Sequence, residues 1–117
     1  MDNKFDAECL FVYGTCPDAE VGKAIARALL DARLVACVNL LPGMISLFRW
    51  DGKVEEAAEV AFIAKTSKSR MPAVKALFEK HHPYEEPALI ALPVADGLPG
   101  FLSWVISETA DPSPDAG

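Results

Sequence analysis

The sequence predicts an α+β domain, a four-stranded antiparallel sheet with helices on one face. Three observations lead there. Strand and helix periodicities follow one another in the order β-α-β-β-α-β, with one more helical stretch at the end. Asp51-Gly52 is a type I′ hairpin signal between two unusually long strand patterns, which makes those strands antiparallel neighbours. A chain of 117 residues, 51% of them hydrophobic, forms one domain whose core needs no disulfide or structural metal.

Cys9 to Tyr13 is a short apolar, aromatic-rich run closed by Gly14, the pattern of a buried strand. Thr15-Cys16-Pro17-Asp18 supplies a helix start. Thr15 is the candidate cap, Asp18 stands three residues on as in a capping box, and Pro17 falls in a first turn that needs no amide hydrogen. Val21, Ile25, Ala28, Leu29 and Ala32 recur at helical spacing, and Lys23, Arg27 and Asp31 take the other face. Val35 to Leu41 is apolar and β-like; Pro42-Gly43 interrupts it and Met44 to Trp50 resumes it, the mark of a bulge within one strand. The return strand runs from Lys53 to Ala64, charged through Glu55, Glu56 and Glu59 and apolar from Val60. So long a hairpin outreaches the core of a small domain. Its distal half, with Phe48 and Trp50, is expected to anchor an interface with another subunit.

Ser67 and Ser69 are candidate caps for a second helix with Pro72 early in it. Met71, Val74, Leu77 and Phe78 form its buried stripe, and Lys75, Glu79 and Lys80 its wet side. Pro83 restricts His82 to extended geometry, so the helix ends near His81. Ala88 to Val94 is the fourth strand pattern. Leu98 to Ile106 is a closing helix with Phe101, Leu102 and Val105 as its apolar side and Trp104 expected in the subunit core. The domain is thus residues 1–110. Asp111 to Gly117 has nothing to bury and is expected to be a disordered tail. The element order reads as a split βαβ pair, a ferredoxin-like βαββαβ layer with a long central hairpin and an added C-terminal helix. That layer leaves one sheet face uncovered, too apolar here to stay wet, and a homo-oligomer follows.

Charge and cysteines exclude several classes. Seventeen acidic against eleven basic residues give a net charge of −6, with no Lys/Arg cluster to displace counterions, so nucleic acid is not the expected partner. Mean hydropathy is slightly high at +0.18, in keeping with self-association. Cys9, Cys16 and Cys37 cannot all pair within one chain and form no Cys-x-x-Cys motif. The N-terminus is acidic where a signal peptide is basic, and no segment is long enough to span a membrane. A cytoplasmic, reducing setting is expected, with no membrane partner. No Ser-His-Asp order, glycine-rich phosphate loop or paired-carboxylate signature appears, so the expectation is a non-enzyme with no organic cofactor; a catalytic reading would have to use His82 with Tyr84.

The densest chemistry lies in His81-His82-Pro83-Tyr84-Glu85-Glu86-Pro87, which holds both histidines of the chain. Neutral imidazole suits copper and zinc, and copper binds tightest in the divalent series. Against this, His81 at a helix C-terminus answers the carbonyl end of the dipole, and adjacent residues do not share a helix face. Tyr84, Glu85 and Glu86 either hold a ligand, pair across subunits with Lys65 or Arg49, or form a solvated loop. Glu59 and Lys65 stand six apart on one strand and share a face, where they line a cleft between subunits or form an ordinary ion pair. Cys16 in a first turn is either a thiolate stabilised by amide hydrogens or a small residue that fits the turn.

Several motifs appear in order: Thr15-x-Pro17-Asp18, Cys37-Val38-Asn39 before Pro42-Gly43, Ser46-x-Phe48-x-Trp50-x-Gly52, Glu59 leading to Lys65-Thr66, His82-Pro83-Tyr84 with Pro87, and Leu102-x-Trp104. Together, from Leu10 to Trp104, they closely resemble the CutA divalent-cation tolerance proteins. The resemblance implies a ferredoxin-like homotrimer whose long hairpins pair between subunits, similar to PII-type signalling proteins, and a role in tolerance of copper and other divalent cations. It implies a copper set of His81 and His82 with a cysteine near the end of the first strand. That cysteine's position falls nearest Gly14, and Cys16 lies inside the cap motif. Phe48 stands where Tyr is usual, and Ala88 where Glu commonly follows the proline. The alternative function is a PII-like sensor that binds a small anionic metabolite between subunits and signals to a protein partner.

Overall fold

A computed structural model describes residues 8–111. Strand β1 (Cys9–Cys16) leads to α1 (Ala19–Asp31), then to β2 (Cys37–Trp50) and β3 (Lys53–Ser67). A 3-10 turn (Lys68–Arg70) opens α2 (Met71–His81), followed by β4 (Leu89–Pro93) and α3 (Pro99–Glu108). The four strands form one antiparallel sheet in the order β2-β3-β1-β4, the ferredoxin-like arrangement that the element order predicts.

Alternation sorts the sheet into two faces. Val12, Cys16, Phe62 and Ala64 point toward the helices and pack with Ile25 and Leu29 of α1 and Val74 and Phe78 of α2. Phe62 and Phe78 meet edge to face at 5.3 Å. Each ring is at most 1% exposed, so truncating either would cost about 3–5 kcal/mol. The opposite face carries Phe11, Tyr13, Ile63, Leu41, Ile90 and Leu92; α3 covers only its Cys9 end, and Leu41, Ile90 and Leu92 are each about half exposed.

The hairpin forms as its turn residues dictate. Asp51 (φ 51°) and Gly52 (φ 78°) both adopt left-handed backbone, as a type I′ turn requires. The β2–β3 register shifts between Leu41 and Met44, where Gly43 takes φ 87° and bulges the strand as its Pro-Gly pair predicts. Beyond this bulge the hairpin leaves the helical layer. The molecule is therefore elongated, 50 × 33 × 23 Å, with a radius of gyration of 15.5 Å against about 13 Å for a compact chain of this length.

Several local expectations are corrected. Strand β1 continues through Thr15 and Cys16, which pair with Ala61 and Val60, so the cap of α1 is Asp18: its carboxylate accepts from the Val21 N–H at 2.9 Å. Thr15 cannot cap because its backbone is committed to the sheet. Neither Ser67 nor Ser69 caps the second helix; the Ser67 hydroxyl instead bonds Thr109 at 2.8 Å in a buried pair that ties α3 to the end of β3. Trp104 is not core. It is 43% exposed, close to the 47% of Trp50, and the residue of α3 that is fully buried is Val105, against Cys9 and Ala36. Of the tail placed at 111–117, only Asp111 lies within the described residues, where it pairs with Arg70.

Candidate functional site

The loop between α2 and β4 is held by His82. Its backbone is extended (φ −85°, ψ 136°), as a residue before proline must be, and this swings the imidazole inward while His81 stays exposed on the last turn of the helix. The ring lies between Phe78 (5.2 Å) and Tyr84 (4.8 Å) and is 7% exposed. Its Nε2 faces the Thr15 carbonyl at 2.8 Å, and its Nδ1 faces the Tyr84 N–H at 3.2 Å. A carbonyl only accepts and an amide only donates. The hydrogen must therefore sit on Nε2, and both ring nitrogens are occupied by the backbone.

Tyr84 carries the loop on to the hairpin. Its hydroxyl donates to Glu59 Oε2 at 3.0 Å. Glu59 is 6% exposed, and Oε1 of the same carboxylate has no hydrogen-bond partner among the described residues. Burial, with the Glu59 carboxylate beside it, pushes the Tyr84 phenol up to about 12. Glu59 also reaches Cys16: burial first, then Glu59 and Asp18, raise that thiol to about 11. Cys16 is thus a protonated core residue at the end of a strand, not a thiolate in a helical turn.

Glu59, Tyr84, Glu85 and Glu86 line one open cleft of about 640 Å³ with Thr15, Ser46, Leu47, Phe48, Trp50 and Ala88. The hairpin register explains the grouping. Met44 pairs with Glu59, Ser46 with Ala57, Phe48 with Glu55 and Trp50 with Lys53, so Ser46, Phe48, Trp50 and Glu59 share a sheet face. The cleft therefore brings together six of the residues singled out in the sequence: Phe48, Trp50, Glu59, Tyr84, Glu85 and Glu86. Lys65 is not among them. It stands on the same face but about 20 Å along β3, where its ammonium donates to Asn39 opposite.

The set His81, His82 and Cys16 does not converge. Cys16 faces the helices in the core, His82 points at backbone, and His81 points to solvent. Among the described residues no group of three or more His, Cys, Asp or Glu side chains is placed to hold a metal ion. A single subunit therefore does not fit copper through that set.

A family model described as CutA1 divalent ion tolerance protein matches residues 10–108. The chain belongs to this family. It is 47% identical over 93 residues to mouse protein CutA, covering 80% of this chain and 52% of that protein. It is 41% identical over 95 residues to the divalent-cation tolerance protein CutA of Thermus thermophilus, covering 81% of this chain and 92% of that one. The chain thus spans about half the length of its mammalian relatives. Among solved structures, CutA1 of Thermus thermophilus superposes with a TM-score of 0.85 at 39% identity, over 87% of this chain and 99% of that one. CutA1 of Shewanella gives 0.87 at 34% identity, over 91% and 99%.

Against the CutA pattern, the departure at Gly14 has a physical cause. A Cβ there would stand 2.6 Å from the Ala88 carbonyl oxygen and 3.0 Å from Leu89 Cδ1. The loop before β4 has closed onto β1, and no side chain fits. The cleft also uses two residues that the sequence analysis named in motifs but did not place in a site: Thr15, whose carbonyl orients His82, and Ser46. Counting back from Asp51-Gly52 pairs Met44 with Glu59 and would have found Ser46; nothing in the sequence marks Thr15 as a partner of His82.

Proposed function

We propose that this CutA1-family protein serves divalent-cation tolerance as a non-enzymatic cytoplasmic homotrimer, with the hairpin cleft as its ligand site and cations as its ligand class. Family membership supports the role, through relatives named divalent-cation tolerance proteins. The observation that carries the ligand class is the charge of the cleft. Glu59, Glu85 and Glu86 line it, with no Lys, Arg or His side chain among them. A buried carboxylate without a cationic partner favours any ligand that supplies one.

The uncovered sheet face, with Leu41, Ile90 and Leu92, and the projecting hairpin, with Ile45, Leu47 and Val54 each about two-thirds exposed, support self-association. Three free thiols support a reducing compartment, although the Archaeoglobus fulgidus relative is called periplasmic. Among the described residues no helix is long and apolar enough to cross a membrane. Copper or another divalent ion would draw on the exposed His81 imidazole or on cleft carboxylates, with further ligands from a second subunit.

Calorimetric titration of the full chain with Cu²⁺ and Zn²⁺, on wild type and Glu59→Gln, tests the cleft. Cation binding is expected to weaken in the variant; unchanged binding would move the metal to His81, and His81→Ala would then abolish it. Lys65, half-buried on the open face and bonded to a neutral amide, favours the alternative of an anionic metabolite held between subunits. Binding of a nucleotide that requires Lys65 would replace the cation reading. Light scattering with size exclusion that gives a stable monomer would overturn the trimer.

A further inference from the structure

Two charged side chains on the open sheet face lack a counter-charge within the subunit. Glu59, 6% exposed, is the one buried carboxylate among the described residues; its Oε2 accepts from the Tyr84 hydroxyl and its Oε1 has no hydrogen bond. Lys65 is half-buried, and its ammonium donates to Asn39 Oδ1, a neutral amide oxygen. It borders a cavity of about 210 Å³ whose other walls are mainly apolar, with Phe11, Phe101 and Leu102 among them. Asp96 borders that cavity too, but its carboxylate accepts from the Gly97 N–H at 2.9 Å and makes no ion pair with Lys65.

The two charges do not meet within one chain. They stand six residues apart on one face of β3, about 20 Å, with the apolar Ala61 and Ile63 between them. Self-association over this face draws both groups further from water, and each then carries a desolvation cost that only a counter-charge offsets. A copy packed in register would set glutamate against glutamate and lysine against lysine, which is repulsive. In a ring of three, each subunit meets the next through two different patches, so a residue of one faces a different residue of its neighbour. The other cations do not compete for Glu59. All the described Lys and Arg side chains but Lys65 and Arg70 are exposed, and Arg70 is paired with Asp111.

We propose that Glu59 of one subunit pairs with the partner subunit's Lys65 in the homotrimer, and that a divalent cation displaces this lysine. The proposal rests on the reading of the cleft as cation-binding and adds its regulation. The site is complete only between two copies, and ion and lysine compete for one carboxylate. Cation occupancy therefore loosens the contact between subunits.

The test joins trimer dissociation of the full chain, followed on dilution, to calorimetry with Zn²⁺ alone. Glu59→Gln and Lys65→Met should each raise the dissociation constant at least about tenfold, with subunit folding checked by circular dichroism. Glu59→Gln/Lys65→Met should fall short of the product of the two effects, and the exchange Glu59→Lys/Lys65→Glu should recover most of the wild-type constant. Lys65→Met, at a concentration that keeps it trimeric, should bind Zn²⁺ about tenfold more tightly, because the competitor is gone. If Glu59→Gln does not fold, Lys65→Met and the exchange variant decide. Independent effects of the two substitutions, with unchanged Zn²⁺ affinity in Lys65→Met, would overturn the proposal; loss of Zn²⁺ binding in Glu59→Gln would still leave the cation reading intact. Coupled effects on dissociation with no Zn²⁺ binding at all would retain the ion pair and overturn both the competition and the cation reading.

Discussion

The Tyr84 hydroxyl and Glu59 Oε2 stand 3.0 Å apart, which fastens the loop after α2 to the middle of β3. The Tyr84 ring is 39% exposed, yet its hydroxyl turns inward to a carboxylate that is almost fully covered. Loop and hairpin, distant in sequence, thereby become two walls of one cleft.

This contact makes an alkaline prediction. Burial and Glu59 raise the Tyr84 phenol from 10.0 to about 12, so the folded state holds the proton more tightly than the unfolded chain. The stabilisation is fully present below about pH 10 and is lost as pH rises through 12. Absorbance titration of phenolate should show one late-ionising tyrosine, absent in Tyr84→Phe. Cys16, raised to about 11, adds a loss that begins near pH 9, so the alkaline limb should flatten further in a Tyr84→Phe/Cys16→Ser variant. A phenolate titration identical in Tyr84→Phe and wild type would contradict the assignment.

Gly14 should tolerate no side chain. A Cβ placed 2.6 Å from the Ala88 carbonyl forces backbone apart, and overpacking of this kind costs about 1–3 kcal/mol. Gly14→Ala and Gly14→Cys, the latter restoring the cysteine of the CutA pattern, should both unfold at lower denaturant concentration. Wild-type stability in either would mean that the loop before β4 moves freely.

Arg33 should be improvable. It holds φ 58° just after α1, and the pair of bonds Leu34 N–H to Leu29 O (2.9 Å) and Arg33 N–H to Leu30 O (3.0 Å) closes a Schellman motif that normally places glycine here. Left-handed backbone costs an L-residue about 1–2 kcal/mol, offset in part by the larger entropy glycine brings to the unfolded chain. Arg33→Gly should therefore gain about 0.5 kcal/mol in chemical denaturation, and Arg33→Val should lose stability.

Asp111 should matter slightly. It is 61% exposed, but its partner Arg70 is 15% exposed, with a buried Nε that lacks an acceptor. Asp111→Ala leaves that guanidinium with only the distant Ala32 carbonyl and should cost about 0.5–1 kcal/mol by denaturation, a value held down because the Asp111 end of the pair is solvated. Arg70→Met, which removes the buried charge along with its need for a partner, should cost no more.

Local chemistry settled the elements in the sequence. The Asp51-Gly52 turn dictates a hairpin because only such residues accept two left-handed positions in a row, and Pro83 ends α2 by forcing His82 into extended geometry. The apolar stripe Met71, Val74, Leu77, Phe78 marked the inner face of α2, since helical spacing aligns those side chains whatever they pack against. The shared face of Glu59 and the hairpin aromatics follows from the turn as well, through a period of two that continues unbroken to the bulge. Tertiary structure alone decided the rest. Thr15 went to the sheet because pairing with Ala61 committed its backbone, and the cap passed to Asp18. Trp104 stayed at the surface because α3 turns Val105 inward against Cys9 and Ala36, a rotation that a helix apolar on several sides does not reveal. Both nitrogens of His82 were claimed by backbone groups, one of them 67 residues away in sequence, and no local pattern encodes a contact made only when two distant segments pack.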